Sequence, residues 1–263
     1  MSVTQSLFDS ANLLLARARE HREELSRRSK AFFDDNPYVK HIELDRKVGL
    51  YVLKARLPRD LPASLFPVAA DAFNNLRHAL DQAVCACALA KDAAVELQGI
   101  SFAFGRDPSD FNKNMKSSRN KLAPEITAAI AALTPYKRGN GYDGGDDKFW
   151  ALNELCRTNK HRALIALMGG VREMNVNLAS VFMPGPYMRP HWNSEKNELI
   201  AGVADHPDKL NYELGLTFFV AIGDVEIFKG WPALRVIDVL ADKVQAVVTN
   251  LESESRRLFP NAV

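Results

Sequence analysis

A helix that is apolar on more than one side leaves its chain few choices, because the rest of the protein has to enclose it. Residues 64–91 of this 263-residue chain read as such a helix. Phe66, Val68, Ala69, Ala72, Phe73, Leu76, Leu80, Val84 and Leu89 cover more than one of its faces. Cover has to come from several directions, and the flanking sequence offers it.

Residues 4–33 place Leu7, Ala11, Leu14, Ala18, Leu25 and Phe32 at helical steps, while the other faces carry RAREHREELSRRSK. Asp34-Asp35-Asn36-Pro37 ends this helix, since proline disfavours the helical region for the residue before it. The charge run reads as a solvated face or as an arm that packs on a protein partner. Residues 147–168 form a third long helix, stopped by Gly169-Gly170. Residues 232–257 form the last, with Leu234, Ile237, Leu240, Val244, Val247, Val248 and Leu251 in a stripe. Shorter helices start at Asp107-Pro108-Ser109-Asp110 and at Pro124. Strand patterns occupy 41–44 and 50–55 as a hairpin, then 100–104, 176–182, 198–203 and 212–222, with a partner strand at 225–228. Strands and helices do not alternate, so the reading is α+β. It has a core of long helices, a mostly antiparallel sheet and long N- and C-terminal helices. Residues 1–263 read as a single domain, with 1–36 an amphipathic helix that can serve as an interaction arm.

Lys and Arg total 34 against 32 Asp and Glu, a net charge of +2, which argues against strong non-specific nucleic-acid binding but leaves room for a basic cleft. The N-terminal segment lacks the basic and apolar regions of a signal peptide. No apolar run approaches the roughly 18 residues of a membrane span. Three cysteines, Cys85, Cys87 and Cys156, all fall in expected helices and read as small hydrophobes of a reducing cytoplasm. The glycine-rich loop 134–146 lacks the Lys-Ser/Thr ending of a phosphate-binding P-loop. No nucleophile motif and no metal-ligand spacing is present, so no metal and no cofactor is expected.

The chemistry-bearing residues fall on two of the apolar helices. Asn74, Arg77, His78 and Asp81 are spaced i, i+3, i+4 and i+7, which sets them on one helical face. Asn153, Arg157, Lys160 and His161 share a face of the helix at 147–168 in the same way. Two such ridges facing each other satisfy one another's hydrogen bonds. The result is either a structural network that fixes helix register or a cleft with tuned ionisable groups.

The segments Asn75-Leu76-Arg77-His78-Ala79-Leu80-Asp81 and Leu152-Asn153 through Lys160-His161-Arg162 resemble a group of uncharacterised bacterial proteins similar to HEPN-like helical domains. That resemblance implies a homodimer and, in active members, a metal-independent ribonuclease of toxin or antiphage systems with a composite site at the dimer seam. Arg77 and His78 match the Arg-polar start of the HEPN signature, while Gln82 stands where its histidine is expected. On this reading Arg77, His78 and His161 are catalytic. One histidine takes the proton of an RNA 2′-hydroxyl, the other protonates the leaving oxygen, and Arg77 or Lys160 stabilises the phosphate charge. Asn74, Asp81, Asn153, Lys160 and Arg162 bind substrate. Two alternatives stand beside it: a non-enzymatic scaffold subunit of a defence or regulatory complex, and a nucleotide or small-ligand sensor gripping an anion with Asn74, Arg77 and Lys160.

Overall fold

A computed structural model of the chain describes residues 6–35, 38–161, 167–175, 191–193, 196, 198–210, 215–223 and 225–262, without the side chains at 158–161, 172–175, 191–192 and 215. At its centre lies α2 (Leu65–Lys91), whose buried residues run through Leu65, Val68, Ala72, Phe73, Leu76, Leu80, Val84 and Cys87. Alanines at 69, 70, 79, 83, 86, 88 and 90 are buried too. Small side chains on several faces let neighbouring helix axes come close. Helix α1 (Asp9–Asp34) makes the most extensive of these packings, and two helices from the second half of the chain, α5 (Asp147–His161) and α6 (Ala233–Leu258), pack on α2 as well.

Helix α1 buries Ala11, Leu15, Ala18, Leu25 and Ser29. Its charges largely pair with each other, as in Arg17–Glu20 at 2.6 Å and Arg28–Glu24 at 2.5 Å. One pair reaches across: Arg22 donates two hydrogen bonds to Asp238 of α6, at 2.9 and 3.0 Å. Helix α6 buries Val236, Ile237, Leu240, Val244, Val247, Val248 and Leu251 along one stripe. In the chain, α3 (Pro108–Arg119) and α4 (Pro124–Ala132) come between α2 and α5. The Asp107 carboxylate caps α3 by accepting from the Asp110 N–H at 2.8 Å, with Pro108 in the first turn, where its missing N–H is not needed.

Strands β1 (Val39–Asp45) and β2 (Leu50–Arg56) form the expected hairpin, with His41 opposite Lys54. They continue into an antiparallel sheet of order β1-β2-β5-β4, where β4 is His191–Asn193 and β5 is Glu198–Ala204. Leu53, Ala55, Leu199, Ala201 and Leu210 form a smaller core on this sheet. Strands β3 (Leu167–Asn175) and β6 (Gly215–Ile222) make a separate antiparallel pair. The molecule is thus α+β with long first and last helices.

Three local expectations are corrected. The helix expected to run to 168 ends at His161, and Leu167 and Met168 instead pair with Ile222 and Ala221 of β6. Cross-strand pairing there overrides helical periodicity. Residues 225–228 form no strand. A 3-10 turn, Glu226–Phe228, folds the chain back so that the Ile222 N–H donates to the Trp231 carbonyl at 3.0 Å. The stretch 100–104 is straight but joins no ladder, because side chains rather than a neighbouring strand hold it; a single bridge follows at Gly105 and Tyr136. The strand expected at 176–182 lies outside the described residues. Among the described residues no helix is long and apolar enough to cross a membrane.

Candidate functional site

Arg77 sits midway along α2, half-buried in a helix most of whose residues are core. A guanidinium there needs partners, and the fold provides them on three sides. Arg77 Nη1 donates to Asn153 Oδ1 of α5, which joins the two ridges identified in the sequence. The guanidinium carbon lies 5.0 Å from the centroid of the Phe104 ring, a cation–π contact. Asp81 Oδ2 stands 4.0 Å from Arg77 Nε, close enough for attraction but too far for a hydrogen bond. Only one of the guanidinium's donors is therefore spent on an acceptor among the described residues.

Asp81 is engaged elsewhere. Its Oδ1 accepts from the Phe102 N–H at 2.9 Å, tying residues 100–104 to α2. Burial raises the Asp81 pKa above the ordinary carboxylate value, while Arg77, the Phe102 N–H and His78 pull it down. Cys156 of α5 donates its Sγ–H to the Phe73 carbonyl at 3.4 Å, a further link between α5 and α2. Burial pushes that thiol up to about 12 and Cys87 up to about 11, so neither supplies a thiolate near neutral pH. Cys85 is half-buried rather than fully enclosed.

Arg77 and Asn153 line an open polar cleft of about 390 Å³. Residues 101–104 form one wall, and Lys113, Asn114 and Ser117 of α3 form another. The α3 residues are the part that sequence reasoning missed. Phe111, Met115 and Ser118 are the buried residues of α3, which leaves Lys113, Asn114 and Ser117 exposed. The available signal was this i, i+1, i+4 spacing, which is shared by any solvated helix face. Asn114 Nδ2 donates to the Phe104 carbonyl at 2.8 Å and so fixes the cleft wall to α3. Lys113 brings a second positive charge.

The remaining expected site residues fall as follows. Asn74 is half-buried and His78 exposed, and neither lines the cleft. Asp81 is held behind the wall formed by Phe102. Arg157 points its charge at Glu154, at 2.6 Å, away from the cleft lining. The side chains of Lys160 and His161, and the whole of Arg162, lie outside the described residues. The glycine-rich loop 134–146 does not line the cleft but abuts the end of its wall, where the Pro135 carbonyl accepts from the Gly105 N–H at 3.0 Å. Among the described residues no group of three or more His, Cys, Asp or Glu side chains is placed to hold a metal ion.

Chemically the cleft offers an anchored guanidinium with spare donors, a lysine ammonium, two hydroxyls and two amides. That set suits a phosphate or another oxyanion. No family model matches the chain, and no curated protein or solved structure matches it.

Proposed function

We propose that the chain binds a phosphate-bearing ligand, a nucleotide or an RNA phosphodiester, in the Arg77–Asn153 cleft. The observation that carries this reading is the state of Arg77. Asn153 and the Phe104 ring orient its planar group, yet among the described residues no carboxylate forms a hydrogen bond to it. A preoriented guanidinium of this kind loses little side-chain freedom on binding an oxyanion.

Thermal denaturation against a panel of nucleotides and short RNA tests the proposal. A ligand at one hundred times its dissociation constant stabilises the fold by about 2.7 kcal/mol, which a melting curve resolves. Arg77→Ala should abolish the response. A flat response of the wild-type protein across the panel overturns the reading.

His78 supports a second, catalytic form of the same reading. It stands outside the cleft lining, but it is exposed, adjoins Arg77 in sequence, and its charge acts on Asp81. A HEPN-like, metal-independent ribonuclease would use His78, with His161, for proton transfer at a phosphodiester positioned by Arg77. Labelled RNA incubated with the protein in EDTA should then be cut, and Arg77→Ala, His78→Ala and His161→Ala should each slow cleavage. Intact RNA, or equal cleavage by all variants, rejects the catalytic form while leaving ligand binding in place.

A further inference from the structure

Among the described residues β1 is the outermost strand of its sheet, with β2 on its inner side. Proteins usually protect such an edge by keeping it short, by a proline, by a bulge or by covering it. Strand β1 has seven residues, no proline and an unbroken register with β2. The register shift of this sheet lies between β2 and β5 instead. Six large hydrophobic side chains are exposed among the described residues, and three of them belong to this edge. They are Val39 at 54%, Leu44 at 47% and, in the turn that follows, Val48 at 44%.

The order of charges along β1 is a second, independent observation. Lys40 and His41 precede Ile42, whereas Glu43 and Asp45 follow it. A strand that is basic in its first half and acidic in its second complements itself when two copies run antiparallel. Centred on Ile42, the pairing sets His41 opposite Glu43 of the second copy, and by symmetry Glu43 opposite His41. Leu44 falls opposite Lys40 of the second copy, whose methylene stem covers apolar surface while its charge stays in water. The outer pair, Val39 with Asp45, adds no complementarity. Other registers do worse. A two-residue slip sets His41 on His41 or Glu43 on Glu43, and a one-residue slip turns the apolar faces to opposite sides.

The fold has prepared this edge. Lys54 of β2 pairs with Glu43 and also with Glu198 of β5, at 3.3 Å, which fixes the Glu43 carboxylate at the edge with its side chain still 48% exposed. Ile42 lies opposite Leu53 and packs against the smaller core on the sheet. Pairing through Ile42 extends that apolar layer across the seam instead of ending it there. We propose that β1 is a self-association edge, where two copies of this chain join in antiparallel register centred on Ile42 to make one continuous sheet.

Sedimentation velocity of the whole chain from about 1 µM to about 1 mM covers the weak association expected of a single strand pair. The average mass should rise towards that of a dimer. Leu44→Lys, at an exposed position, sets two lysines opposite each other on both sides of the centre. It should weaken association roughly tenfold or more and leave the thermal unfolding of the chain unchanged. Adding Lys40→Glu restores opposite charges and should restore the dimer. The register has its own readout, because a disulfide needs Cα atoms about 4.4–6.8 Å apart. Ile42→Cys should cross-link on mild oxidation, whereas Leu44→Cys, displaced from its counterpart by about 13 Å along the strands, should behave as the wild type does. A monomer at every concentration, a dimer indifferent to Leu44→Lys, no recovery in the double variant, or equal cross-linking at 42 and 44 overturns the proposal.

Discussion

Asp81 holds the cleft wall against the cost of its own burial. It accepts the Phe102 N–H, which ties the cleft wall to α2, and burial penalises the charge it needs to do this well. Its folded-state pKa is raised, so the folded protein holds the proton more tightly than the unfolded chain. The contribution to stability is then full below the ordinary Asp value of about 4 and is lost as pH rises through the raised value. Asp81→Asn keeps an acceptor for Phe102 without the charge. Urea unfolding should therefore show the wild type gaining stability relative to Asp81→Asn as pH falls from 7 towards 4. Asp81→Leu, which leaves the Phe102 N–H unpaired, should cost about 1–3 kcal/mol at either pH. For Arg77, Lys keeps the charge but loses the planar group that stacks on Phe104 and donates to Asn153. Arg77→Lys should accordingly recover little of the binding lost in Arg77→Ala.

At the scale of elements, the meeting of residues 100–105 with α3 decides the shape of the cleft. A Cβ added at Gly105 would lie 2.5 Å from the Phe111 N and 2.7 Å from the Asp107 O, both backbone atoms of the first turn of α3. Neither can move without shifting the helix that carries Lys113 and Asn114. Gly105→Ala should destabilise the protein by about 1–3 kcal/mol in chemical denaturation and weaken ligand binding in the same variant.

This junction also explains what could be read from sequence and what could not. The long helices were legible because Leu65 to Lys91 and Ala233 to Leu258 each carry a periodic apolar pattern that only burial satisfies. The Arg77–Asn153 meeting followed from two polar ridges on apolar helices, but the ridges do not face each other along their length: His78 is exposed and Arg157 pairs with Glu154. Lys113 and Ser117 were not legible, because an exposed helix face has the same spacing whether or not a cleft lies beside it. The end of α5 was misjudged because Leu167 and Met168 fit a helix locally and find their strand partner in β6, far along the chain.

For the molecule as a whole, α1 and α6 are fastened to the centre mainly by apolar burial. The Arg22–Asp238 pair is about one-third exposed on both sides, and such pairs couple weakly. A double-mutant cycle of Arg22→Ala and Asp238→Ala should give a coupling below about 1 kcal/mol. Leu25→Ala, which opens space under a fully enclosed side chain on α1, should cost about 2–5 kcal/mol in the same urea assay. A larger coupling than cavity cost would reverse this ranking of the two forces.

Enclosure of α2 by helices from both halves of the chain has a consequence for biosynthesis. Cys87 on α2 is sealed by Ser255 on α6, a contact between residues 168 positions apart. At translation rates of about 5–20 residues per second, that flank of the nascent chain waits on the order of ten seconds before its cover leaves the ribosome. Helix α1 shields one side of α2 from the start, and the other side stays uncovered until α6 has been made.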